Sequence, residues 1–209
     1  MNKMTKISAV ILSSITLVGL THAATPGAYV GAGLGTSRLS TPNMGNVTGA
    51  TSTSTTRGGL GARLFGGYNF NKYFGLEAGY ATYAPSTYKA SNSVASEKLK
   101  YTLGALNVVA KGYLPFDESG FNAYVLGGIA AVNSKVALTT NNVPGVPSDS
   151  KTTRKLRPMY GIGVSYDVAE HVTTSLEASH IQGSGNLKTS NSAIPSANML
   201  SLNLGYNFG

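Results

Sequence analysis

At the end of the chain Leu200, Leu202, Leu204, Tyr206 and Phe208 alternate with Ser201, Asn203, Gly205 and Asn207. Successive strand side chains point to opposite sides, so one face of this segment is apolar and the other small or polar. An apolar face that ends in an aromatic pair suits a strand with lipid on its outside and a membrane interface at its end. The same period-two reading predicts eight strands, at 27–37, 58–70, 73–83, 99–114, 121–134, 156–168, 172–182 and 198–208. Each can supply the roughly 9 to 11 residues that a tilted membrane strand needs.

The connections between these strands alternate in length. Short links at 70–72, 115–120 and 169–171 alternate with long ones at 38–57, 84–98, 135–155 and 183–197. Short periplasmic turns and long external loops are the habit of outer-membrane barrels. The pattern therefore predicts an all-β fold: an eight-stranded antiparallel up-and-down transmembrane β-barrel. Aromatic residues sort by depth on this topology. Phe70, Tyr73, Phe74, Tyr113, Phe116, Phe121, Tyr166, Tyr206 and Phe208 gather at the short-turn end, and Tyr80, Tyr83 and Tyr101 near the long loops, which predicts two interfacial girdles. Segments 40–56 and 135–155 are rich in small, polar, Pro and Gly residues and are expected to be mobile, exposed loops, where binding would reside.

The other end of the chain predicts export. Lys3 and Lys6 precede an apolar run from Ile7 to Leu20, and small residues follow, so 1–23 reads as a secretory signal peptide cleaved after Ala23 or Ala24. The barrel domain would then occupy 24–209. The run is too short, and too interrupted by Ser13, Ser14 and Thr16, for the roughly 20 residues of a spanning helix. With 26 Gly, no Trp and 11% charged residues in 209, the chain is too weakly charged for a typical soluble surface. A closed barrel is the remaining way to satisfy every backbone hydrogen bond in lipid. Cysteine is absent, which removes disulfides and thiolate metal sites.

Strand parity assigns the candidate chemistry. If Leu76, Ala78, Tyr80, Val108, Ala110, Leu176 and Ala178 face lipid, then Glu77, Lys111 and Glu177 point into the lumen, and Arg63 joins them opposite Leu64 and Tyr68. Four charges of balanced sign can satisfy one another in a narrow interior, where an unpaired ion would be costly. Eight strands enclose a lumen just filled by side chains, which excludes a general diffusion pore. Catalysis finds no converging set: Glu177 and Ser179 share a face and His180 takes the other, so no triad assembles. No cofactor or metal is expected.

The formal net charge is +8, and loss of Lys3 and Lys6 with the leader leaves 14 basic against 8 acidic residues. Most bases fall on the long-loop side. Lys151, Arg154, Lys155 and Arg157 cluster where the third long loop enters the sixth strand, and are expected to contact lipopolysaccharide phosphates. A nucleic-acid partner is not expected for an exported barrel.

The run from Gly66 to Tyr80, GGYNFNKYFGLEAGY, resembles the second and third strands of the OmpA-like transmembrane domain family. Ala110-Lys-Gly-Tyr-Leu-Pro115, Tyr124–Gly128, Gly161–Tyr166 and Leu200–Phe208 resemble its later strands, in order. The resemblance covers the barrel alone and implies no peptidoglycan binding. It implies a monomer of the Gram-negative outer membrane, delivered by the barrel-assembly machinery, with an interior acid and base network at positions that match Glu77, Lys111 and Glu177. The function expected is structural or surface-interacting and adhesin-like, with outer-membrane lipid, lipopolysaccharide and a host or surface ligand as partners of the loops. A narrow, low-conductance, porin-like ion pore is the alternative, and a barrel lipid-modifying enzyme a further one.

Overall fold

A computed structural model describes residues 26–40, 52–91, 96–116, 120–141, 149–185 and 193–209. The leader and its cleavage site lie outside the described residues. The strands are β1 (Gly27–Ser40), β2 (Ser52–Thr56), β3 (Gly58–Asn71), β4 (Phe74–Ser91), β5 (Ser96–Pro115), β6 (Phe121–Asn141), β7 (Asp149–Ala169), β8 (Val172–Ile181) and β9 (Ser196–Asn207). Each pairs antiparallel with its neighbours, β9 returns to β1, and the β4–β5 pairing closes the sheet. β2 and β3, separated only by Arg57, are consecutive pieces of one stave, both paired to β4, so the barrel has eight staves. Closure leaves no sheet edge in lipid.

Local chemistry sets the turns. In the link from β3 to β4 the Asn71 Oδ1 accepts hydrogen bonds from the backbone N–H of Tyr73 (2.8 Å) and Phe74 (2.9 Å), the Asx device that reverses a chain in few residues. Pro85 coincides with a register shift between Tyr83 and Ser86 in the β4–β5 pairing, as expected of a residue that cannot donate to the ladder.

Outward positions form a continuous apolar belt. Leu34, Leu64, Val125, Ile162, Leu202 and Leu204 are each at least 58% exposed, which only a hydrocarbon surrounding makes favourable. Phe70 and Phe74 stack at the short-turn end (ring centroids 5.8 Å apart), Phe121 and Tyr166 meet at a tilt (4.5 Å), and Tyr206 meets Phe208 edge-on.

Three parts of the sequence reading are corrected. The segments expected as long loops at 84–98 and 135–155 are largely strand: β4 and β5 stay paired out to Ser91 and Ser96, and β6 and β7 from Lys135 with Thr152 to Leu138 with Asp149. In 38–57, residues 52–56 pair with 87–91. Beyond the membrane the outward face meets water, so apolar alternation stops while the backbone ladder continues. Second, Tyr83 and Tyr101 are buried inside the barrel and do not belong to the outer girdle, and Tyr113 packs inward on Tyr124 (5.6 Å). Third, the interior that the sequence marks only by its four charges is layered. From turn to mouth the inward residues of β5 run Lys111, Val109, Asn107, Ala105, Leu103, Tyr101, all buried. Leu39, Leu103, Val132, Ile181, Ile194 and Met199 form a packed apolar layer under the external mouth. Ile194 is brought there by reciprocal backbone bonds with Ser184 (2.9 Å each).

Candidate functional site

Below that apolar layer lies a group of four charged side chains. Glu77 comes from β4, Glu177 from β8, Arg63 from β3 and Lys111 from β5; all are buried. One guanidinium nitrogen of Arg63 binds Glu77 Oε1 at 2.5 Å and the other binds Glu177 Oε1. Lys111 Nζ lies 2.5 Å from Glu77 Oε2 and 3.7 Å from Glu177 Oε2. The tyrosine hydroxyls of Tyr29 and Tyr124 donate to Glu77 Oε2 and Glu177 Oε2, each at 3.1 Å. The forked guanidinium thus bridges two carboxylates and the ammonium neutralises what remains, so a cluster of zero net charge is sealed in a low-dielectric interior. Phe65 and Tyr124 add ring faces to the cations, with the Arg63 Cζ 4.7 Å from the Phe65 centroid and Lys111 Nζ 4.9 Å from that of Tyr124. On the periplasmic side the lumen opens into a cavity lined by Asn69, Asn122, Ser165, Asp167 and Asn207, with Lys111 at its inner end.

Sequence reasoning missed the tyrosines. Tyr29 and Tyr124 lie at inward parity opposite apolar neighbours, which was a usable signal.

The four bases expected to act together on lipopolysaccharide are divided by the sheet. Arg154 pairs with Asn133 and faces outward. Lys151, Lys155 and Arg157 pair with Val136, Val132 and Ala130, residues on the barrel's inner face, so they belong to the mouth. Arg157 is further committed: its Nε donates to the carbonyl of Gln182 (2.9 Å) and its Nη2 to that of Gly183. Adjacent strand positions alternate faces, so of these four bases Arg154 alone faces outward.

Arg154 does have outward company. Lys98 and Lys100 on β5 and Lys135 on β6 are exposed and share its face, since Lys100 lies beside Ala137, Lys135 beside Thr102 and Thr152, and Arg154 beside Asn133. Lys89 on β4 stands directly opposite Lys98. These side chains form a basic ledge above the apolar belt, mostly on strand where the sequence pattern predicts loop. None of them has an ion-pair partner among the described residues. Glu177 and Ser179 point inward while His180 points out, where its Nδ1 lies 2.7 Å from Asn198 Oδ1.

A closed antiparallel barrel with an apolar outer belt, aromatic ends and a charge-neutral interior defines an integral β-barrel protein of the bacterial outer membrane. The chain belongs to the OmpA-like transmembrane domain family, whose model matches residues 23–209. It is 30% identical to Outer membrane protein A of Escherichia coli O157:H7 over 87% of this chain and 47% of that protein, and 30% identical to that of Salmonella typhi over 72% and 40%. A Coxiella burnetii protein is also 30% identical, over 72% of this chain and 68% of its own length. The chain thus spans less than half the length of the two Outer membrane protein A relatives. Among solved structures the fold is shared with Neisserial surface protein A (TM-score 0.55, 17% identity, 87% of this chain and 97% of that one). It is also shared with Ail, the attachment invasion locus protein of Yersinia pestis, in complex with the heparin analogue sucrose octasulfate (TM-score 0.51, 16% identity, 88% and 100%).

Proposed function

We propose that this protein is a non-catalytic, non-conducting surface barrel that presents its external hairpins beyond the membrane and gathers lipopolysaccharide around itself. It reaches that place as an exported precursor that loses residues 1–23 and is inserted by the barrel-assembly machinery. The observation that carries the reading is the basic ledge. Like charges placed directly across a ladder, as Lys89 and Lys98 are, repel one another. A layer of phosphate groups at headgroup level supplies the counter-charge that the described residues do not. The hairpin of β6 and β7 that rises past the ledge is where a host or surface ligand would bind.

The apolar layer beneath the mouth favours the structural role over the narrow pore. An ion moving along the lumen would have to shed water among Leu39, Leu103 and Ile181, each at most 1% exposed. A planar-bilayer recording should show no steady open level.

The ledge is tested by replacing Lys98, Lys100, Lys135 and Arg154 together with Gln. Association with lipopolysaccharide in vesicles should weaken, the difference should shrink as salt rises, and heat-modifiable mobility should be unchanged. Substituting the inward-facing Lys151 and Lys155 should do far less. Equal binding by the ledge variant and the parent at low salt would remove lipopolysaccharide from the reading.

A further inference from the structure

At its external edge the apolar belt gives way to an oblique row of polar side chains. Arg38 on β1 pairs with Asn198 on β9, Asn198 with His180 on β8, and His180 with Tyr160 on β7. All four side chains take the lipid-facing parity, and the first three stand at the mouth ends of their strands. The row is pre-ordered: His180 Nδ1 is 2.7 Å from Asn198 Oδ1, and the Tyr160 and His180 ring centroids are 5.1 Å apart. Arg38 has no ion-pair partner among the described residues, and neither does His180. An arginine and an imidazole on one lipid-facing row, with Asn198 between them, are costly unless something in the membrane meets them.

Below the row the surface is concave. A trough that begins at Arg38, His180 and Asn198 descends over Ala178, Ile162 and Leu200. A second trough, purely apolar in side chains at this junction, shares those three residues and continues past Val164 and Leu176. The floor is low because Ala178 stands between larger neighbours. From His180 to Leu176 the trough runs four residues along β8, about 13 Å, which at a strand tilt of about 35–45° descends about 10 Å, a third of a hydrocarbon core about 30 Å thick.

From this arrangement we infer a seat for one phosphorylated lipid of the outer leaflet: Arg38 and His180 bind the headgroup phosphate, and an acyl chain lies in the trough over Ala178. The occupant is a lipid A type glycolipid. Its phosphate monoester offers the multiple acceptor oxygens that a guanidinium fork takes two at a time, and its sugar hydroxyls suit Asn198 and the Tyr160 hydroxyl. The seat uses none of the ledge residues, but it takes the lipid anchor of the lipopolysaccharide that the proposed function gathers, and to that extent it rests on that reading.

The test is a titration of the folded barrel in detergent micelles with bis-phosphorylated lipid A, with retained lipid counted by native mass spectrometry. Arg38→Gln combined with His180→Gln should weaken retention at least tenfold, and Ala178→Phe, which fills the trough without changing charge, should weaken it comparably. Dephosphorylated lipid A should bind parent and double variant alike. Gln at Lys98, Lys100 and Lys135 should alter retention less than twofold in micelles. Undiminished retention by both the double variant and Ala178→Phe overturns the seat, as does retention governed by the ledge variant alone, an outcome that leaves the proposed function standing. Displacement of lipid A by an equal concentration of phosphatidylglycerol overturns the choice of occupant, and displacement by inorganic phosphate overturns the role of the trough. Heat-modifiable mobility confirms that each variant is folded before it is counted.

Discussion

Arg63 on β3 and Glu177 on β8, 114 positions apart in the chain, meet inside the barrel as a buried ion pair. Glu77 takes the other end of the same guanidinium at 2.5 Å. Because β3 and β8 are not hydrogen-bonded neighbours, this contact crosses the lumen and ties opposite walls together.

Breaking that tie on one side should cost more than removing both partners. Arg63→Met leaves two buried carboxylates to a single ammonium and should destabilise the barrel by about 3–5 kcal/mol. Adding Glu177→Gln removes the stranded charge and should recover part of the loss, a coupling of about 0.5–3 kcal/mol. Urea unfolding in lipid vesicles, run as a double-mutant cycle, measures it. Simple additivity would show that the two side chains do not interact in the folded barrel.

The outer and inner faces of one strand should tolerate polar substitution unequally. Leu202 is 63% exposed on the lipid side, while its neighbour Asn203 is 3% exposed and donates to Ser175 Oγ at 3.1 Å. Leu202→Arg should cost about 2–4 kcal/mol, the penalty for a basic side chain near the bilayer midplane. Asn203→Ser should cost about 1 kcal/mol, the scale of one lost hydrogen bond. The same vesicle titration compares them, and equal tolerance of both would refute the lipid-facing assignment.

Two adjacent glycines offer a test of packing. A Cβ on Gly128 would lie 2.1 Å from the carbonyl oxygen of Val108 and 2.7 Å from the Cα of Val109, both backbone atoms that cannot move aside. A Cβ on Gly127 would meet nothing within 4 Å. Gly128→Ala should therefore destabilise by about 1–3 kcal/mol, whereas Gly127→Ala should be neutral or stabilising by up to about 1 kcal/mol, since it restricts only the unfolded chain. Unfolding midpoints that ranked the two variants the other way would contradict the β5–β6 register.

The sequence by itself determined the barrel, because an outward face in lipid and an inward face in a filled lumen impose a period of two that each stave records locally. It also placed Glu77, Lys111, Glu177 and Arg63 at inward parity, since parity is counted along one strand. The tertiary structure alone decided where the strands end, because above the membrane the outward face is wet and the alternation that marks a strand disappears while the hydrogen-bond ladder of 86–91 and 135–141 continues. It decided which bases stand together as well. Lys151, Arg154, Lys155 and Arg157 are close along the chain, yet alternate faces of one strand divide them. Lys98, Lys100, Lys135 and Arg154 are distant along the chain, and the registers of β5 with β6 and β6 with β7 bring them to one face. The row from Arg38 through Asn198 to His180 arises in the same way, at the closure of β9 on β1. Parity is a property of one strand, but company is a property of the register between strands, and no single segment of sequence contains it.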